Sequence, residues 1–120
     1  MLKSLKNLAN NGRVSHTVAA VASILGICLT GKASDEGTLE PLNKVRGEKK
    51  AIATLIKNMI DNGFKGKKVI ISHCFNEEAA LALKEKLSEM FENVKIKIQN
   101  TGILCSFYAE HGGILVGFEK

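Results

Sequence analysis

Cysteine is scarce in this sequence, and none of it is paired. Cys28, Cys74 and Cys105 lie far apart, with no C-x-x-C spacing and an odd total, which argues against a disulfide framework and a paired-cysteine zinc knuckle. They read as reduced intracellular thiols. Long apolar runs are missing as well: none approaches the roughly 18 residues that cross a bilayer. The opening Met1-Leu2-Lys3-Ser4-Leu5-Lys6 lacks the apolar core and cleavage site of a secretory signal. A soluble, cytoplasmic protein with no membrane span is the expectation. Aromatic residues make up only 5% of the chain, and the lysines behind its net charge of +5 are scattered. The clustered basic face of a nucleic-acid binder is therefore lacking, and no nucleic-acid partner is expected. The local signatures of dinucleotide sites, phosphate loops and zinc proteases are absent too. No cofactor or metal is implied.

What is present fits one domain. The chain has 120 residues, of which 45% are hydrophobic, enough to bury a core without cross-links. Leu2, Leu5 and Leu8 are at helical spacing up to Asn11-Gly12, and Val14, Val18, Val21 and Leu25 continue at the same period toward Gly26. Ile27–Ala33, the turn Ser34-Asp35-Glu36-Gly37 and Thr38 to about Val45 read as a hairpin, with Pro41 marking an edge or a bulge. Gly47–Asn62 is the clearest helix, with Ile52, Leu55, Ile56, Met59 and Ile60 in one stripe. Val69-Ile70-Ile71 reads as a buried strand ending at Ser72-His73-Cys74. Asn76 then caps a helix carrying Ala80, Leu83, Leu87 and Met90 on one face and ending near Phe91. Asn93–Gln99 alternates as a strand open to water on one side. An irregular stretch leads to a last strand at Gly113–Phe118. The order implies an α+β, two-layer fold with a mixed, largely antiparallel sheet and helices mainly on one side.

Two small clusters are candidates for binding. His111-Gly112-Gly113 joins a hydrogen-bonding imidazole to two residues that let a ligand approach the backbone; a plain turn is the competing reading. Gly12-Arg13-Val14-Ser15 sets an arginine at a helix start, where free N–H groups favour an anion; a helix-linking turn with a solvated arginine reads equally well. The basic run Lys44–Lys50 is read as a solvated face. Cys28, His73, Cys74, Cys105 and His111 are zinc-ligand types without zinc spacing. His73 and Cys74, as neighbours at a strand end, point apart and are poorly placed to activate each other.

Leu5-Lys6-Asn7-Leu8, Gly12-Arg13-Val14-Ser15, Glu40-Pro41-Leu42, Lys44-Val45-Arg46-Gly47 with Lys49-Lys50-Ala51, and His111-Gly112-Gly113 occur in the order and spacing of the DegV family, which the chain resembles over almost its whole length. The resemblance implies the C-terminal half of a two-domain fold that holds a long-chain fatty acid in an apolar tunnel between its domains. It also implies a fatty-acid kinase as partner in some members. On the same ground His111 with the backbone of Gly112 and Gly113 faces the carboxylate, Arg13 lies near the site mouth, and the helix of Val14, Val18 and Val21 lines part of the tunnel. The family's N-terminal domain is not in this sequence, so the chain reads as a fragment whose bared face favours homo-oligomers. Cys28-Leu29 and Gly112-Gly113-Ile114 depart from the family's usual Lys-Pro and Gly-Pro-Gly. An alternative follows from the fold's likeness to the substrate subunit of dihydroxyacetone kinases, with His111 holding a small carbonyl compound.

Overall fold

In the computed structural model, which describes residues 1–120, residues 1–5 are not the opening of a helix. Leu2 bridges Leu29, each N–H donating to the other's carbonyl at 2.8 Å, so the first helix, α1, covers only Lys6–Asn10. The leucine spacing that suggested a longer helix instead reports burial, because Leu2 and Leu5 both enter a small core. Helix α2 spans His16–Ala22, with Ser15 Oγ accepting from Val18 N at 3.3 Å as its cap. It stops a turn earlier than the valine period implied, leaving Leu25 93% exposed.

Strands β1 (Ile27–Ala33) and β2 (Leu39–Arg46) form the expected hairpin. The register steps from Thr30↔Asn43 to Gly31↔Pro41, so Leu42 is an extra residue beside the proline. Pro41 sits at the bulge its missing N–H demands. Helix α3 (Glu48–Asp61) buries Ala51, Ile52, Leu55, Ile56 and Met59. Ile60, placed in the same stripe by spacing, is instead 41% exposed at its edge.

Strand β3 (Lys68–His73), helix α4 (Glu77–Met90) and strand β4 (Lys95–Asn100) form a β-α-β unit with parallel strands. Asn76 caps α4 by accepting from Ala79 N at 3.3 Å. Strand β5 (Ile114–Phe118) then pairs antiparallel to β3, giving the order β4-β3-β5. The strands are thus shared between two sheets, a two-stranded ribbon and a mixed three-stranded sheet, within the α+β architecture read from the pattern.

Val69, Ile71, Leu83 and Leu87 form the main core with the buried face of α3. Burying such side chains contributes about 1.5–3 kcal/mol each. Lys68, Ile70, Lys95 and Lys97 alternate onto the open face of the sheet, as period two requires. Met90, assigned by spacing to the buried face of α4, is 55% exposed because the helix outruns the core.

One element was not foreseen: residues between Gly102 and His111 form helix α5 (Ile103–Ala109). Only Ala109 of it is buried, and Ile103 and Leu104 are 95% and 68% exposed. Without a buried stripe there is no amphipathic signal to read. No helix of the structure is long and apolar enough to cross a membrane.

Candidate functional site

The hairpin, the last turns of α3, α5 and β5 line an open-sided cavity of about 630 Å³. Sixteen of its 24 lining residues are hydrophobic, among them Leu8, Leu39, Leu42, Met59, Leu104 and Val116. That volume lies within the roughly 300–1,000 Å³ typical of small-molecule sites, and a mostly apolar wall with few polar groups suits a ligand with a long hydrocarbon part. The polar side chains are Arg13, Thr38, Asn58, Asn62, Lys32 and Lys120, and Tyr108, counted among the hydrophobic residues, adds a hydroxyl.

Arg13 is set in place by its backbone. Its N–H donates to the Leu8 carbonyl at 2.8 Å, ending α1, and its own carbonyl accepts from Leu39 N at 2.8 Å, tying the α1–α2 junction to β2. The guanidinium is exposed, donates through Nη1 to the Asn11 carbonyl at 2.8 Å, and has no carboxylate partner. It is a cation held beside an apolar cavity with its charge uncompensated.

The other residues expected from the sequence to contact a ligand do not line this cavity. Val14 and Val18 are half-buried and pack on the small core of Leu2, Leu5 and Leu29, and Val21 is half-buried nearby in α2. His111, Gly112 and Gly113 form a turn joining two cavity-wall residues, Ala109 and Ile114, so it abuts the cavity edge. The glycines are needed for packing. Gly112 has φ +88°, a conformation other residues rarely take, and a Cβ on Gly113 would lie 2.6 Å from the Ala109 carbonyl oxygen. Their N–H groups are already engaged, Gly112 N with the Cys74 carbonyl at 2.7 Å and Gly113 N with the Glu110 carbonyl at 3.2 Å. The expected backbone grip on a ligand therefore reduces to the imidazole of His111, which is exposed and stacked on Phe75 at 5.8 Å and 9°.

Beside this turn lies a polar cluster. Glu48 pairs with Lys3 at 2.6 Å and accepts from Asn76 Nδ2 at 3.0 Å. Burial alone would raise the Glu48 carboxyl, but the hydrogen bonds from Lys3 and Asn76 outweigh it and hold the group below the ordinary range. Of the metal-ligand residue types, Cys28, Cys74 and His73 are buried, while Cys105 and His111 are exposed. The structure gathers no group of three or more such residues. His73 Nδ1 accepts from Asn76 N at 3.3 Å, whereas the Cys74 thiol turns to the Ser106 carbonyl at 3.9 Å, so this adjacent pair does point apart.

Leu39, Leu42, Leu104 and Tyr108 were missed as wall residues because the bulge and α5 that bring them together leave no periodic trace. Asn58 and Asn62 carried a signal: two amides one helical turn apart beside the apolar stripe of α3.

All of residues 1–120 match the model of a family described as "Uncharacterised protein, DegV family". A DegV domain-containing protein of Streptococcus pyogenes serotype M3 is 43% identical over 119 residues, covering 99% of this chain and 42% of that protein. The chain thus spans about two-fifths of the length of the curated relatives it matches. Among solved structures, a DegV family protein from Eubacterium eligens loaded with heptadecanoic acid superposes with a TM-score of 0.90 at 43% identity, over 96% of this chain and 42% of that one. The Streptococcus pneumoniae Fatty Acid Kinase (Fak) B3 protein loaded with linoleic acid gives 0.93 at 41% identity, over 98% and 42%.

Proposed function

This chain belongs to the DegV family, and on that premise we propose that it supplies one wall of a long-chain fatty-acid site in a larger cytoplasmic carrier. The observation that carries the reading is the mostly apolar cavity of about 630 Å³ with the unpaired Arg13 among its lining residues. The acyl chain takes the cavity. The carboxylate takes Arg13, together with His111 on the turn that adjoins the wall. Two similar structures loaded with heptadecanoic and linoleic acid support this ligand class. Val14, Val18 and Val21 then act behind the wall, holding the α1–α2 junction that carries Arg13.

The exposed Ile103, Leu104 and Phe107 of α5 give the remainder of the longer protein an apolar face to cover. That remainder completes the site, and the carboxylate is presented to a fatty-acid kinase. The protein's role in this scheme is binding rather than catalysis. A small polar carbonyl substrate at His111 is disfavoured, since the adjoining cavity is mainly apolar.

The test is extraction and native mass spectrometry of the full-length protein after exposure to oleic acid. Arg13→Met and His111→Ala are each expected to weaken retention roughly 10- to 100-fold, the range for losing one charge-assisted hydrogen bond. A full-length protein that binds no fatty acid, or two variants that bind it unchanged, overturns the assignment.

A further inference from the structure

The turn that carries His111 is held by a residue outside every candidate motif. Asn76 uses its whole amide: Nδ2 donates to the Gly112 carbonyl at 3.0 Å and to Glu48 Oε2 at 3.0 Å, while Oδ1 accepts from Ala79 N. Its backbone N–H donates to His73 Nδ1. The side chain thus joins the 111–113 turn, the start of α3 and the start of α4, and the backbone N–H of the same residue adds the end of β3. The Glu48 carboxylate is itself fixed by Lys3 at 2.6 Å, so one acceptor of Nδ2 is a charge locked in position, and the hydrogen bond to it is of the stronger, charge-assisted kind.

Asn76 also follows Phe75, which has φ +50° and is 81% exposed. A non-glycine residue in that region carries a cost of about 1–2 kcal/mol, and exposing an aromatic ring recovers none of it by burial. The strained backbone places the ring flat against His111 at 5.8 Å. Asn76 therefore borders both constraints on the imidazole: the backbone of its turn, through Gly112, and the ring stacked on it, through the adjoining peptide.

Resting on the fatty-acid reading, we propose that Asn76 is the positioning residue that aims His111 at the ligand's carboxylate, with Glu48 and Lys3 fixing Asn76. Asn76 is not among the residues that line the cavity. Its influence on binding is consequently confined to the carboxylate end, which separates it from a residue that merely supports the fold.

The experiment compares oleic acid with oleyl alcohol, the same chain without the carboxylate, on the full-length protein and on Asn76→Ser. Serine keeps an oxygen to cap α4 but removes both amide donors. Wild type is expected to prefer the acid, and the variant to lose about tenfold in affinity for the acid while its affinity for the alcohol stays unchanged. Asn76→Thr, which also keeps a capping oxygen and sets no second carboxylate against Glu48, is expected to do the same and serves if the serine variant fails to fold. Equal loss for acid and alcohol in the folded variants, or no loss, overturns the positioning role. If wild type binds neither compound, the fatty-acid reading itself has failed and the proposal goes with it.

Discussion

Replacing Gly113 with alanine tests whether the turn beside the cavity is as rigid as its packing indicates. The added Cβ would lie 2.6 Å from the carbonyl oxygen, 2.8 Å from the Cβ and 3.0 Å from the carbonyl carbon of Ala109, against an optimal carbon contact of about 3.5–4.0 Å. The obstacle is backbone, so rotating a side chain gives no relief. Ala109 is 2% exposed at the end of α5, and the next residue, Glu110, is anchored by Ser4 Oγ at 2.9 Å and Asn7 N at 3.1 Å. On the other side, Gly113 is held by Cys74 N donating to its carbonyl at 3.0 Å. Overpacking of this kind costs about 1–3 kcal/mol, and straining one buried backbone hydrogen bond adds about 1 kcal/mol. The expected destabilisation is about 2–4 kcal/mol, or roughly 8–15 °C in melting temperature for a chain of this size. Urea unfolding read by circular dichroism measures it, with Gly117→Ala as control, since a Cβ there meets nothing within 4 Å. A Gly113→Ala midpoint indistinguishable from that of the control would refute the reasoning.

Further outcomes are expected elsewhere in the molecule. Thr30 is fully buried, accepts from Asn58 Nδ2 at 2.8 Å and donates to Asn43 Oδ1 at 3.2 Å. Thr30→Val should cost about 1–3 kcal/mol by leaving both amides short of a partner, and a neutral result in urea would show that water replaces the hydroxyl. Leu83→Ala, at 0% exposure in the main core, should cost about 2–5 kcal/mol by the same assay, and a loss under 1 kcal/mol would mean that the α4 interface collapses onto the vacancy. Because the Glu48 carboxyl lies below its ordinary value of 4.5, it contributes stability that is present above that value and lost as pH falls through the folded one. Urea midpoints between about pH 6 and 3 should therefore fall less steeply for Glu48→Gln, whereas parallel curves would remove Glu48 from acid unfolding. Cys105 is exposed and lines the cavity while Cys28 and Cys74 are buried, so N-ethylmaleimide should label Cys105 first, more slowly with oleic acid bound. Labelling at a ligand-independent rate would place the fatty acid outside the cavity.

The sequence disclosed what repeats. The alternation in Lys95–Asn100, the stripe of α3 apart from Ile60, the cap at Asn76 and the proline at the bulge each leave a local mark that the structure bears out. Helix α5 left none, because Ala109 is its one buried residue and Gly102 offers no side-chain cap. The split of the strands into two sheets was equally silent: antiparallel ladders and a parallel crossover have the same residue periods. In the candidate site, Arg13 was legible as a cation at a helix junction, and His111 as a histidine beside two glycines. Which of them lines the cavity was not, since that depends on where α5 returns the chain.

Helix α5 is also what relates the two. Asn7 in α1 donates through Nδ2 to the Phe107 carbonyl at 2.8 Å and through its backbone N–H to the Glu110 carboxylate at 3.1 Å, and its carbonyl accepts from Asn11 N at 3.2 Å. Arg13 follows two residues after Asn11, and His111 follows directly after Glu110. The segments that carry the cation and the imidazole, at opposite ends of the sequence, are therefore joined through Asn7 by two hydrogen bonds, one to α5 and one to the Glu110 that caps it. On the function proposed above, anchors of that kind hold in place the two segments that carry the recognition groups before a ligand arrives, which lowers the ordering cost of binding. A short anionic head group on a flexible chain benefits most from such an arrangement, because the chain itself supplies no rigidity, and the apolar cavity needs only to exclude water from it.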